Sequence, residues 1–506
     1  MSVTSEVLRK AKEALSSYEF KPEIEEVGEI KEVQDGIATV RGLRNTLMGE
    51  VLMFSGRIPG QAFNLEKEEI KCILLGDYAS LRSGEPVFRT GKILEIPAGE
   101  ELLGRVIDPL GNPQDGKDPY PQRTRRRIMY PAPQVIERRP VQRPLLTGIK
   151  IIDSMIPLGK GQRELIIGDR RTGKTTITLD TIINQKGKKV MCIYVAIGQR
   201  LSAITEVIDA LQKNGALDYT IVVVTSAEDP PALVYLAPYS GCALAEYFMY
   251  QGEDVLIVFD DLSKHAAAYR ALSLLMRRPP GRESYPGDIF YIHSSLLERS
   301  AQLSEDLGGG SITALPIVET QEGDIASYIP TNIISITDGQ IYLESNLFAR
   351  GFLPPINIGL SVSRVGGEAQ TPIMKKAARR LRLDLAQYFE LEDFARFSAE
   401  LDEVTHRQLE HGKRVLGLMT QPPLKPQDLA REILAVFAAT QGLVDTIPLE
   451  RVKEWEEALF SYAEEENPEL LERLKREADL SRDLEEEMRR FILDFNQKFL
   501  SGEKDG

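Results

Sequence analysis

Gly168-Asp169-Arg170-Arg171-Thr172-Gly173-Lys174-Thr175 carries one glycine, four intervening residues, then Gly, Lys and a hydroxyl residue. That spacing suits phosphate. Backbone N–H groups of the loop and of a following helical turn point at the anion, Lys174 supplies a cation to the outer oxygens, and the Thr175 hydroxyl can ligate Mg2+. The flanks agree: Glu164 to Ile167 reads as a short buried strand and Thr176 to Ile183 as a helix. Residues Gly168 to Thr176 are the candidate phosphate cradle, with a nucleoside triphosphate as its natural ligand. A metal needs a second element, and Asp254-Val255-Leu256-Ile257-Val258-Phe259-Asp260-Asp261 offers one, an apolar strand ending in acids. Asp260 is expected to join Thr175 around Mg2+.

Holding these two stretches side by side requires a large fold. With 506 residues the chain exceeds the size at which single cores stop growing, so several domains are expected. A net charge of −14 argues against a chain whose main task is neutralising nucleic-acid phosphates. Cys72, Cys192 and Cys242 lie far apart without metal-ligand spacing, which predicts buried free thiols and no disulfide framework. The first twenty residues have neither a secretory apolar core nor Arg-rich transit character, and no apolar run reaches eighteen residues. Membrane association is therefore expected only through partners.

Taken in order, the texture predicts a multidomain chain. Val3, Val7, Leu8, Ala11, Leu15 and Tyr18 form one apolar stripe, so residues 1–24 are expected to hold a short helix that wants a partner surface. Short alternating runs with glycine punctuation, such as Ile37 to Arg41, Glu50 to Phe54 and Ile70 to Leu75, predict a β-barrel over residues 25–97. Residues 98–370 begin with a Pro- and Arg-rich connecting segment, including Arg123 to Arg127, read as a solvated or interface face. They continue as alternating strands and helices, a mostly parallel α/β sheet with ligands at the carboxyl ends of its strands. Residues 371–506 are helical in pattern, broken at Gln421-Pro422-Pro423 and Asn467-Pro468, and predict a closing helical bundle.

Barrel, P-loop domain and helical bundle in that order resemble the subunits of rotary ATPases. Longer stretches are similar to the alpha subunits of F-type ATP synthases: Pro144 to Lys150, Asp153 to Pro157, Gly161 to Arg170, Leu275 to Gly287, and Pro354 to Arg364. The likeness runs from about residue 25 to the C-terminus and is strongest between residues 140 and 370. It implies a non-catalytic, regulatory site for ATP or ADP with Mg2+, in a complex that couples ATP synthesis and hydrolysis to ion transport. It also implies partners: beta-type catalytic subunits alternating in a hexamer, a gamma-type central stalk and a delta-type stator subunit on the N-terminal helix. No nucleic acid is implied, and the complex would lie on the cytoplasmic face of the cell membrane.

Within this resemblance Gln199 discriminates. Catalytic relatives carry a Glu there to polarise the attacking water, and an amide cannot accept that proton, a difference of about 10²- to 10⁴-fold. Arg364 matches an arginine that reaches in trans into the neighbouring catalytic site, where its forked guanidinium meets the charge on the transferred phosphoryl. Phe348, Pro354 and Gln421 match positions near the adenine. The chain departs from the family at Arg171, where Gln is usual, at Leu353, where Arg is usual, and after Gln421, where a longer segment with two glutamines is usual. Two alternatives share the P-loop core. A self-sufficient secretion or flagellar ATPase should have Glu at position 199, and a Rho-like translocase should have an RNA-binding front domain with exposed aromatics.

Overall fold

The computed structural model describes residues 26–395, 402–477 and 479–501. The expected helix of residues 1–24 lies outside them. The chain divides into two compact units, one ending at Leu94 and one running from Glu95.

In the first unit six strands close into a barrel: β1 (Val27–Gln34), β2 (Ile37–Arg41), β3 (Glu50–Phe54), β4 (Ile58–Leu65), β5 (Glu69–Leu74) and β6 (Pro86–Ile93). Their order is β1-β2-β5-β4-β3-β6, with β6 returning to β1. Alternation drives closure, since one face of each strand feeds a core of Ile30, Val40, Leu52, Phe54, Cys72, Leu74 and Val87. A closed barrel leaves no unpaired strand edge.

The second unit is built on an eight-stranded sheet: β7 (Val106–Ile107), β8 (Leu165–Gly168), β9 (Val190–Gln199), β10 (Thr220–Ser226), β11 (Asp254–Asp260), β12 (Ser311–Glu319), β13 (Gly339–Leu343) and β14 (Val362–Ser363). The spatial order is β14-β13-β8-β12-β11-β9-β10-β7. All pairings are parallel except β13 with β14. The middle strands are buried along nearly their whole length, because crossover helices cover both faces of a parallel sheet. These helices are α1 (Lys150–Met155), α2 (Lys174–Ile183), α3 (Leu201–Lys213), α4 (Pro231–Met249), α5 (Leu262–Leu275), α6 (Ile289–Leu297), α7 (Tyr328–Ile336) and α8 (Ser345–Ala349).

Helices complete the unit: α9 (Pro372–Ala377), α10 (Leu381–Ala395), α11 (Glu403–Met419), α12 (Leu429–Thr440), α13 (Val452–Glu466), α14 (Pro468–Arg476) and α15 (Arg482–Ser501). The almost wholly apolar α12 is buried among them, and Trp455 on α13 donates its indole N–H to Asn496 on α15 at 2.7 Å. Asn467 caps α14 and Pro468 occupies its first turn, where a missing N–H costs nothing. All three cysteines are free and buried, and burial pushes each thiol above its ordinary value.

In the Arg-rich segment Arg123, Arg125 and Arg127 are exposed, while residues 125–127 pair with Glu95–Pro97 and Arg126 reaches the buried Glu246 on α4 at 3.4 Å.

Candidate functional site

The phosphate cradle lies at the carboxyl end of β8, between its neighbours β13 and β12. Gly168 closes the strand, and Gly173 turns the chain into α2 with φ +94°, a left-handed value that glycine adopts without a Cβ penalty. Arg171 takes φ +60° in the same loop, which is uncommon outside glycine. The first N–H groups of α2 have no intrahelical acceptors, so they form an anion site together with the loop. Lys174 is buried with its ammonium on the loop carbonyls of Gly168 and Asp169, at 2.9 and 2.5 Å. Burial holds its pKa below the usual lysine value, partly opposed by Glu319, Asp261, Asp260 and Asp169.

Thr175 and Asp260, the two residues expected around a metal, lie side by side. The Thr175 hydroxyl donates to Asp260 Oδ2 at 2.8 Å, across from α2 to the end of β11. A hydroxyl and one carboxylate are hard oxygen donors suited to Mg2+, which otherwise keeps waters and phosphate oxygens. Among the described residues no group of three or more His, Cys, Asp or Glu could hold a metal by itself. Tyr194, in the middle of β9, also donates its hydroxyl to Asp260 Oδ2. Burial first, and then Asp260, push that phenol well above its ordinary value, so it remains a donor. Asp261 points elsewhere: it caps α5 through the Lys264 N–H at 2.9 Å, and burial raises its carboxyl to about 6.

Gln199 ends β9 and is committed on both sides. Its Nε2 donates to Asp260 Oδ1 at 2.8 Å and to the Asp260 carbonyl at 3.0 Å, while its Oε1 accepts from Lys264 Nζ at 2.6 Å. Only this amide orientation matches a carboxylate on one side and an ammonium on the other. A Glu here would set one oxygen against Asp260 and the other on the Lys264 ammonium, which would hold it as an ion-paired anion and not as a base free to take a proton from water. Gln199→Glu is therefore expected to raise hydrolysis by the isolated chain by less than about 10²-fold, the low end of general-base assistance. Phosphate release by the repurified variant measures this, and a larger gain would refute it.

Several expected contacts have other tasks. The Asp169 carboxylate accepts from Thr320 Oγ1 at 2.7 Å, the Gly323 N–H at 2.9 Å and Ser345 Oγ at 3.0 Å, tying the loop to the segment after β12 and to α8. Burial pushes this carboxyl up, but those bonds and Lys174 outweigh it and hold it below the usual range. Arg170 pairs with Glu319 at 2.6 Å, and the buried Thr172 hydroxyl donates to the Asp169 carbonyl at 2.8 Å. Gln421 is buried, and its side-chain amide is committed within the chain. Its Nε2 donates to the carbonyls of Gly148 at 2.7 Å and Lys425 at 2.9 Å, and its Oε1 accepts the Lys150 N–H at 3.2 Å. The short segment after Gln421 leaves the amide as a strap between α1 and the helical bundle. Phe348 stays 45% exposed on α8, and Pro354 lines an apolar recess with Leu347, Phe352 and Leu353. Thr176 follows in the first turn of α2.

Arg364 stands apart from this cradle. It follows the edge strand β14, beside a cleft of about 320 Å3 that Arg138, Arg139, Arg163, Asp338 and Glu368 also line. Its main-chain N–H donates to the Asp338 carbonyl at 2.8 Å, while its exposed guanidinium has no hydrogen bond or ion pair among the described residues. Arg163, by contrast, is bound to Asp338 and Glu298.

Sequence reasoning missed Tyr194, Lys264, Thr320 and Ser345. No signal marked them, because each meets its partner only across the sheet.

Three family models cover the chain. One described as ATP synthase alpha/beta family, beta-barrel domain, matches residues 23–91; the nucleotide-binding domain of that family matches residues 148–363; and ATP synthase alpha/beta chain, C terminal domain, matches residues 370–495. A protein of Caldanaerobacter subterraneus named ATP synthase subunit alpha is 52% identical over 493 residues, 97% of each chain. Another of that name, from Aquifex aeolicus, is 52% identical over 495 residues, 98% of each chain.

Proposed function

The chain belongs to the ATP synthase alpha/beta family, among its alpha subunits, and from that premise we propose how its residues divide the work of the complex. Its own P-loop site holds a Mg-nucleotide without turning it over, and Arg364 serves the catalytic site of a neighbouring beta-type chain. The observation that carries the first half is the Gln199 amide, held between Asp260 and Lys264 where a catalytic chain needs a free carboxylate. Gly168 to Thr176 wrap the phosphates, with Lys174 as the cation. Thr175 and Asp260 hold Mg2+, which screens the phosphate oxygens when bound. Arg170 and Asp169 keep the loop in shape, and Phe348 and Pro354 offer the apolar surface for the base.

The isolated chain is expected to bind Mg-ATP and hydrolyse it negligibly. Nucleotide retention and steady-state phosphate release on the same repurified sample test this. Sustained turnover typical of a competent ATPase, about 1 s⁻¹ or faster, would overturn it.

An ATP synthase alpha subunit works in a complex with beta and other subunits, and no described helix is long and apolar enough to cross a membrane. Our finer reading is a hexamer alternating with beta-type chains around a gamma-type stalk, on the cytoplasmic face of the membrane. In this reading the stripe of residues 3–18 docks a delta-type stator subunit. Deleting residues 1–24 should leave nucleotide binding intact while the purified complex loses its peripheral stalk and its coupling of hydrolysis to ion transport. A truncated complex that retains both would contradict the docking role.

A further inference from the structure

Immediately before Arg364 lies a set of polar side chains that the phosphate cradle does not use, Gln162 and Glu164 buried and Ser363 half-buried. Ser363 Oγ donates to the Pro157 carbonyl at 2.9 Å, and accepts from the Gly366 N–H at 3.1 Å and from Gln162 Nε2 at 3.0 Å. The same Gln162 nitrogen donates to Glu164 Oε2 at 2.8 Å, and its Oε1 accepts the Gly159 N–H at 2.8 Å. The amide is thereby locked in one orientation, with its donors turned to Ser363 and Glu164.

Glu164 is wholly buried, and its other oxygen has no hydrogen-bond partner. An arrangement of this kind is costly, because a buried carboxyl lacking full compensation destabilises the fold. The backbone is shaped to admit it: a Cβ on Gly339 would lie 2.6 Å from Glu164 Oε2 and 2.1 Å from the Val362 carbonyl. Gly339 and Val362 belong to β13 and β14, the pair that ends at Arg364. The polar cluster thus spans three places, the segment leading into β8, the turn at Pro157 to Gly159, and the edge strand. Among the described residues the exposed guanidinium has no hydrogen bond or ion pair, and its charge acts on Glu164 only through space, so the backbone that carries it sets its position.

We propose that Gln162, Glu164 and Ser363 are positioning residues for Arg364, a bracket that fixes the main chain at the arginine and so the region its guanidinium can reach in the neighbouring chain's site. The proposal rests on the trans role of Arg364. In a β-edge strand only two residues long, ladder bonds alone fix little, and the side-chain bonds of Ser363 supply the missing restraint. Loss of the bracket lets the strand end drift, and a misplacement of about 1 Å can cost about 10²-fold in rate.

A double-mutant cycle in the assembled complex with its catalytic partner tests this. Ser363→Ala should lower multisite turnover about tenfold, with KM for ATP changed less than about twofold. In an Arg364→Ala background the same change should cost less than about twofold, because the group it positions is gone. An equal factor in both backgrounds would show a general structural lesion and overturn the bracket. Unchanged turnover in Arg364→Ala alone would instead remove the arginine assignment, a separate failure. A second pair guards against misfolding: Glu164→Gln keeps an acceptor for Gln162 and should recover most of the turnover lost in Glu164→Ala. Equal losses in these two variants would also overturn the proposal.

Discussion

Replacing Arg364 with Ala is expected to lower multisite ATP turnover of the assembled complex by about 10³- to 10⁵-fold, the range for a trans arginine, or about 4 to 7 kcal/mol of barrier. The guanidinium is exposed and makes no hydrogen bond or ion pair among the described residues, so the substitution removes no core volume and breaks no bond among them. Folding and assembly should survive. Lysine should rescue poorly, since a point charge on a flexible stem lacks the planar fork that grips two phosphoryl oxygens together. ATP binding at this chain's own cradle should be unaffected, because Arg364 lies beyond β13 from the P-loop strand. Turnover of the complex, compared with nucleotide retention by the isolated chain, decides the matter. Unchanged turnover, or a loss confined to binding by this chain, would show that the arginine acts elsewhere.

The second large effect concerns stability. Arg299→Ala should destabilise the second unit by about 3 to 5 kcal/mol, the cost of leaving a buried charge without its partner. Arg299 and Glu246 are each 1% exposed and meet at 2.7 Å, and Arg299 also donates to the Ile128 carbonyl at 2.8 Å. Arg126, the other cation on Glu246, keeps only a longer bond of 3.4 Å to Oε2, so Oε1 loses its Arg299 partner. The double substitution Arg299→Met with Glu246→Leu should be much less damaging, because apolar replacements of similar volume remove both charges together. Chemical denaturation of the isolated chain and its variants checks this. Equal losses in the single and double variants would mean that shape, not charge, holds α4 against the end of α6.

The fold was legible where its signal is local. The P-loop spacing with its strand and helix, the apolar run to Asp260, the alternating barrel runs and the proline breaks in the helical bundle each arise from neighbours in sequence. Strand ends were less legible. Strand β9 runs on through Ala196 and Ile197 to Gln199, and β12 past Pro316 to Glu319, where parallel neighbours supply the hydrogen bonds. Strands β13 and β14 went unread, being short and completed only by pairing to one another and to β8.

For the site, the sequence by itself determined the chemistry on offer: glycines where a phosphate must approach backbone, a lysine and a threonine at the start of a helix, an aspartate at the end of a buried strand, and an amide at position 199. These depend on residue type and short spacing. Only the tertiary structure decided which of them act together. Thr175 and Gln199 converge on Asp260 because β11 lies beside β9 and next but one to β8. The side chains of Asp169 and Gln421, both of the right type for ligand contact, are instead bound to Thr320, Ser345, Gly148 and Lys425, partners far off in sequence or set by a shortened turn. A polar side chain's task is fixed by the nearest complementary group in space, and sheet order, which no local pattern encodes, determines which group that is.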